Sequence, residues 1–362
     1  MPLPQNVPAD TRMFIYRKYI IALLCLGLAA CSQGSDVEPP EHKTSLLLFG
    51  TIIEITLYDT DAELAESAFT RLESDFSRWH QHWSPWTDGE LAQLNQHIAQ
   101  GKPFQVDTEL RAMLQAAADI SAKTSTLFNP AIGELINLWQ FHRHEEPDIE
   151  PPDAAAIRQI VARHPSMADI VINGDIIAST NPAVQLSPGA FAKGYAIEIA
   201  LNTLQSMGIR NAVINAGGDL KVIGRHGARN WRVGIRHPRK QGVLGWLDVA
   251  PGESVFTSGD YERFYMYQGR RMHHILDPRN GYPAKGLRSV TVVHADAGTA
   301  DAAATALFVA GPEHWYEIAR ALGIKHVMLV DETGTIQVSP ALAERVHFTA
   351  GDTASTILSQ PL

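Results

Sequence analysis

Residues 212–224, AVINAGGDLKVIG, decide the fold class. Two short runs, Ala212–Asn215 and Leu220–Gly224, carry the Val and Ile that suit a pleated strand. Between them stands Ala216-Gly217-Gly218-Asp219, a connection of hairpin length whose glycines permit the positive φ of a tight turn. The pattern continues downstream, predicting strands at 231–236, 243–249, 254–258, 264–267 and 289–294. Connections this short hold no crossover helix, so the expected class is α+β, mainly antiparallel sheets with packed helices. Helices are predicted at 299–309 and 313–322, and a last strand at 327–330 closes the chain.

Upstream, Ser45 to Tyr58 (SLLLFGTIIEITLY) predicts one strand with Gly50 as a bulge. From about Asp61, Leu64, Ala68, Leu72, Phe76, Trp79 and Trp83 recur at helical spacing until Ser84-Pro85-Trp86 breaks the run. Asp107 caps a second helix to about Lys123, residues 124–130 form a loop, and a helix covers 131–141. Residues 147–152 (PDIEPP) read as a surface linker. A helix at 153–163, a hairpin around Asn173-Gly174-Asp175 and a long helix at about 190–206 complete this half. A single domain is expected from residue 45 to 362.

Of the 362 residues, 45% are hydrophobic and 19% charged, which excludes collagen-like and wholly disordered chains. The net charge is −9, and residues 1–30 (Asp10 against Arg12, Arg17 and Lys18) hold +2, leaving −11 for the rest. So acidic a body is a poor partner for nucleic acid, whose affinity comes from cationic contacts to phosphates. The two cysteines, Cys25 and Cys31, both lie near the N-terminus, so the body has neither a disulfide nor a thiolate metal site. Arg17 and Lys18 precede an apolar run, Tyr19 to Ala30, that ends in Leu28-Ala29-Ala30-Cys31. A basic segment, a short apolar core and small residues before a cleavage point form an export signal. Its ending resembles the bacterial lipobox, which implies cleavage before Cys31 and lipidation there. Residues 1–30 are then the signal, with Met13 as an alternative start, and residues 31–44 a tether. Ser32 favours an outer-membrane anchor facing the periplasm.

Dinucleotide, Walker, zincin and nucleophile-elbow motifs are absent from the sequence. The histidine pairs His80/His82, His142/His144 and His273/His274 have no carboxylate companions at ligand spacing, so no zinc site is expected. Four other segments have residue types at odds with plain packing. Gly189-Ala190-Phe191-Ala192-Lys193-Gly194 enters a helix whose free N–H groups and Lys193 suit a phosphate. Asn215-Ala216-Gly217-Gly218-Asp219 taken alone is a turn. The segment Thr257-Ser258-Gly259-Asp260-Tyr261-Glu262-Arg263, with His273-His274-Ile275-Leu276-Asp277-Pro278-Arg279-Asn280-Gly281, reads as an active-site rim. Asp301 and Thr305 are four residues apart on a small-residue helix, so both oxygens share one face, a hard pair that Mg²⁺ accepts beside phosphates. The plain alternative makes Asp301 a helix cap.

In their order these segments resemble the FAD:protein FMN transferases, the ApbE-like flavin transferases. The resemblance runs from Phe49 through Gly50-Thr51, Leu127-Phe128-Asn129-Pro130, Gly133-Glu134-Leu135, Leu138-Trp139, Ala192-Lys193-Gly194, Gly217-Gly218-Asp219, Thr257-Ser258-Gly259 and His274-Ile275-Leu276-Asp277-Pro278 to Asp301 and Thr305. It implies an α/β-roll-like fold that takes FAD as substrate with Mg²⁺. Metal ligands would be Asp301 and Thr305 by side chain and Ala190 by its carbonyl. Phe49, Trp86, Leu127, Phe128, Asn129, Ser187, Lys193 and Leu276 would line the FAD pocket. Three positions depart from the family: Ser187 and Asn129 stand where aspartate is usual, and Asn280 where threonine is. Each replacement keeps a hydrogen-bonding group.

The implied reaction transfers FMN from FAD to a Ser or Thr hydroxyl of an acceptor protein and releases AMP, with His274 as the candidate base. Acceptors in the family are redox subunits that carry a short Asp- and Thr-containing motif. The alternatives are an FAD pyrophosphatase, in which water replaces the hydroxyl, a non-catalytic periplasmic FAD carrier, and a purely structural lipoprotein. Trp86 and Phe128 are expected either to meet the flavin or to pad the core.

The export reading has its own test. Cys31→Ala should leave the chain unprocessed or release it from membranes, as read by fractionation and intact mass, and unchanged fractionation and mass would contradict it.

Overall fold

The first strand of the fold doubles back. β1 (Glu41–Leu48) pairs antiparallel with β2 (Thr51–Tyr58) across a two-residue turn, Phe49-Gly50, whose φ angles are 54° and 71°. Two positive φ values give the turn that matches strand twist. The single strand with a bulge predicted at 45–58 is therefore a hairpin, and a Phe at positive φ is what hid the turn. Glu41–Thr44, assigned above to the tether, already pair with Ile55–Tyr58.

The computed structural model describes residues 39–141, 150–349 and 355–362. The signal segment, Cys31, His142, His144 and residues 147–149 of the linker lie outside these residues. Pro40–Leu362 form one compact unit.

Helices start where acidic caps predict. Asp61 accepts from Leu64 N at 2.9 Å to open α1 (Ala62–Trp83), and α2 (Glu90–Ala99), absent from the sequence reading, follows the Trp86 loop. β3 (Phe104–Gln105) precedes α3 (Thr108–Lys123), capped by Asp107, which accepts from Leu110 N at 2.7 Å. Then come α4 (Gly133–Trp139), α5 (Ala154–Val161), the hairpin of β4 (Ile170–Asn173) and β5 (Ile176–Ser179), and α6 (Ala192–Ser206). β6 (Ala212–Ala216) and β7 (Asp219–Ile223) are the hairpin of the opening motif, with Gly217 and Gly218 at φ 67° and 103°.

The remaining strands are β8 (Trp231–Arg236), β9 (Val243–Val249), β10 (Ser254–Gly259), β11 (Phe264–Tyr267), β12 (Arg270–His273) and β13 (Leu287–His294). The two helices predicted at 299–309 and 313–322 lie on α7 (Ala297–Leu322), two helical stretches divided at Gly311, whose φ of 78° and ψ of 177° are not helical, just before Pro312. β14 (His326–Asp331) does not close the chain. β15 (Ile336–Val338), α8 (Pro340–Ala343), β16 (His347–Phe348) and β17 (Thr356–Leu358) follow it.

Nine strands make one sheet in the order β1-β2-β6-β7-β10-β13-β14-β15-β17, antiparallel except for β15 with β17. Both faces of its centre are covered, and adjacent residues point to opposite cores. Phe256 and Val292 join the helical side, with Phe76 of α1, Leu201 of α6 and Phe308 of α7. Val255 and Val293 join the other side, where β8, β9 and β16 form a three-stranded sheet that supplies Trp231 and Leu247. Each fully buried side chain of this size stabilises the fold by about 1.5–3 kcal/mol. A third cluster gathers Leu135, Trp139, Ile157, Tyr265 and Leu276. Among the described residues no helix is long and apolar enough to cross a membrane. The fold is α+β with mostly antiparallel sheets, as the sequence predicts.

Candidate active site

Two helices and two strands converge on one point because the helices approach closely. Gly194, in the first turn of α6, faces α7 so tightly that a Cβ there would lie 2.4 Å from Ala297 O and 2.8 Å from Asp301 Cβ. Only glycine fits. The same approach lets Gly194 N donate to Asp301 Oδ2 at 3.0 Å. Asp301 is therefore not a helix cap: Asp296 caps α7, accepting from Thr299 N at 2.7 Å. The α6 N–H groups are also less free than the sequence suggested, since Asp301 takes that of Gly194 and Pro188 O takes those of Phe191 and Ala192.

Around Asp301 the charges are packed. Lys193 donates to Asp219 Oδ2 of β7, whose Oδ1 accepts from Thr257 N of β10 at 2.7 Å. Asp219 thus holds two neighbours in place, more than the plain turn residue of the sequence reading. Burial pushes the Asp301 carboxyl up to about 7; Lys193 opposes that rise and the nearby Asp219 adds to it. Burial pulls the Lys193 ammonium down, but Asp219 and Asp301 outweigh it and leave its pKa raised. One helical turn beyond Asp301, Thr305 Oγ1 lies 3.1 Å from Ser258 Oγ. The four segments singled out in the sequence thus supply Lys193, Asp219, Ser258 and the Asp301–Thr305 pair to one cluster.

His274 stands beside that cluster. Its N–H donates to Arg263 O at 3.1 Å, and its Nδ1 is shielded from solvent with no hydrogen-bond partner. Burial, then the charges of Arg263, His273 and Lys193, holds the imidazole well below its ordinary pKa, so it is neutral at physiological pH. Its neighbour His273 is structural: Nε2 donates to Ala284 O at 2.9 Å and Nδ1 accepts from Ile275 N at 3.3 Å. Arg263, quoted in the rim segment but given no role of its own there, lowers both His274 and Lys193, and the neighbouring Glu262 charge acts on it in turn. The signal was its place in the Thr257–Arg263 segment.

The remaining pocket candidates divide. Trp86 is 59% exposed on the loop between α1 and α2, donates from Nε1 to Asn137 Oδ1 at 2.9 Å, and borders a cavity of about 520 Å³ with Gln96, Glu134, Arg163 and Gln185. Phe128 is buried against Phe191, ring centroids 6.1 Å apart, as the core alternative expects. Leu127 and Leu276 are buried as well. Phe49, at the hairpin tip, is half-buried against Phe76 and His80. Asn129 is spent inside the protein, donating from Nδ2 to Pro165 O at 2.9 Å and accepting from Ala131 N at 3.1 Å. Ser187 is buried, with its N–H donating to Pro130 O at 2.7 Å. Ala190 is half-buried just before α6.

Residues 49–328 match the ApbE family. The chain belongs to this family. It is similar to the FAD:protein FMN transferase of Rhodobacter capsulatus, 38% identical over 342 residues, which are 94% of this chain and 65% of the relative's length. It thus spans just under two thirds of that protein. The Vibrio cholerae FAD:protein FMN transferase is 31% identical over 323 residues, 87% of this chain and 94% of its own. Among solved ApbE structures, that of the Thermotoga maritima ApbE protein superposes with a TM-score of 0.77 at 29% identity, covering 84% of this chain and 99% of the other. The apo flavinyl transferase ApbE of Pseudomonas stutzeri gives 0.75 at 26%, covering 88% and 99%.

The raised Asp301 pKa fixes a pH dependence. An ordinary aspartate releases its proton near 3.8, whereas the folded, metal-free chain holds this one to about 7. The native state binds the extra proton, so the contribution of Asp301 to stability is full below pH 4 and is lost as pH rises through 7. Asp301→Asn removes that slope. In urea unfolding of EDTA-treated protein, its stability relative to wild type should rise from pH 5 to pH 8, and a falling difference would contradict the assignment.

Proposed function

We propose that this chain transfers FMN from FAD to a Ser or Thr hydroxyl of an acceptor protein, releasing AMP, with Mg²⁺ held by Asp301, Thr305 and the Ala190 carbonyl. The observation that carries this is the buried Asp301 carboxylate one turn from Thr305 and beside the Lys193–Asp219 pair. The chain's similarity to two FAD:protein FMN transferases supports this reading. A carboxylate and a hydroxyl on one helix face are a donor set suited to a hard cation, and burial has already made the carboxylate costly to leave charged alone. When bound, the cation supplies Lewis-acid neutralisation of pyrophosphate oxygens.

The chain's own groups do the rest. Lys193 places a fixed ammonium on the phosphates, anchored by Asp219 so that little reorganisation is needed. Arg263 adds a second cation to meet an anionic ligand. The acceptor hydroxyl oxygen bonds to the FMN-side phosphorus, the phosphorus–oxygen bond to the AMP side breaks, and AMP leaves with that oxygen. The hydroxyl proton passes to His274, which is neutral, though burial and the Arg263 and Lys193 charges make it a weak base until negative charge from the phosphates is beside it. The exposed Trp86 ring offers a stacking surface for the flavin nucleotide. The natural acceptor is a redox subunit with a short Asp- and Thr-containing motif. Lipidation at Cys31 would hold the enzyme at a periplasmic membrane face, with Ser32 favouring the outer membrane.

The test mixes the chain with FAD, MgCl₂ and such an acceptor, reading covalent flavin fluorescence after denaturation and AMP released. Asp301→Ala should lower transfer by about 100-fold or more, while Thr305→Ala should cost less because water replaces a neutral ligand. Trp86→Ala should weaken FAD binding with near-normal apo melting. Full transfer by Asp301→Ala would contradict the assignment, and FMN and AMP formed without flavinylated acceptor would favour the pyrophosphatase.

A further inference from the structure

The sequence gives His82 no carboxylate at ligand spacing, yet the fold brings two to it. His82 lies in the last turn of α1, Glu90 opens α2 and Asp107 caps α3. The loop between α1 and α2 turns back on the helix it leaves. Thr87 Oγ1 donates to Gln81 O at 2.6 Å, and a Cβ on Gly89 would lie 1.8 Å from that same oxygen, so only glycine allows the return. This return sets Glu90 beside His82.

Each carboxylate spends one oxygen on structure and presents the other. Glu90 Oε1 accepts from Asp107 N at 2.7 Å, and Asp107 Oδ1 accepts from Leu110 N at 2.7 Å. Glu90 Oε2 and His82 Nδ1 are both shielded from solvent and both lack a hydrogen-bond partner. Asp107 Oδ2 lies 3.9 Å from His82 Nδ1, too far to satisfy it. One ligand atom from each residue lies within 4.8 Å of the other two. Shifts of about 1 Å would bring all three to the roughly 2.0–2.2 Å at which zinc binds imidazole nitrogen and carboxylate oxygen. Two shielded, unpartnered polar atoms next to each other are costly in an empty fold, and a cation between them removes that cost.

We propose that His82, Glu90 and Asp107 bind a divalent transition-metal cation of the zinc class, at a site separate from the all-oxygen set of Asp301 and Thr305. The imidazole nitrogen selects zinc over magnesium, and the two carboxylates balance its charge. Bound there, the cation ties the end of α1 to the starts of α2 and α3 and pins both ends of the loop that carries Trp86.

The experiment treats the full chain with EDTA, dialyses it and titrates it with ZnCl₂, reading calorimetric affinity and zinc retained per chain. Wild type should retain one zinc. His82→Ala and Glu90→Gln should each bind at least about tenfold more weakly, and Asp301→Ala should bind as wild type does. Glu90→Gln keeps the oxygen that accepts from Asp107 N, so its fold is spared, and thermal melting confirms folding of each variant. No zinc retained by wild type, wild-type affinity in either His82→Ala or Glu90→Gln, or loss in Asp301→Ala would each overturn the proposal.

Discussion

The site depends on the contact between α6 and α7 at Gly194. A hydrogen in place of a side chain allows the helices to touch, and the touch turns a backbone N–H toward a carboxylate that would otherwise be buried without a donor. The rest of the cluster follows from that contact. Lys193, one residue earlier, meets Asp219 at the start of β7, and Asp219 in turn takes the N–H of Thr257 on β10. Charge, helix and sheet are thereby locked to a common origin.

A second tie joins the same elements. Lys221, on β7 two residues beyond Asp219, donates to both oxygens of Glu198 at 2.7 Å and to Ala295 O at 2.5 Å. Glu198 of α6 also accepts from Ala297 N at 2.8 Å, at the start of α7. The same three elements that carry Lys193, Asp219 and Asp301 are therefore joined twice, once at the Asp301 cluster and once at Lys221 and Glu198. Preorganised charges of this kind favour a transition state because they need not move when the reaction occurs.

The sequence showed much of this architecture. The Gly217-Gly218 hairpin, the helix start near Asp61, the cap at Asp107, and the one-turn spacing of Asp301 and Thr305 were all legible, because each rests on local chemistry. Features set by distant contacts were not. Phe49 conceals a two-residue turn because bulky residues rarely take φ 54°, whereas the break at Gly311-Pro312 between two helical stretches was legible. The contact of the Phe128 ring with Phe191, across some sixty residues of sequence, is likewise set by the fold. The Glu90 and Asp107 carboxylates beside His82 come from two other helix starts, so no spacing rule could pair them. Arg263 sat in a quoted motif, but the sequence does not show its proximity to His274.

The most direct measurement is anomalous diffraction from crystals of this chain grown with FAD and with Mn²⁺ in place of Mg²⁺. The account predicts an anomalous peak within bonding distance of the Asp301 carboxylate and the Thr305 hydroxyl, with the FAD phosphates on the Lys193 side. Crystals that hold FAD but show no metal bonded to Asp301 would contradict it.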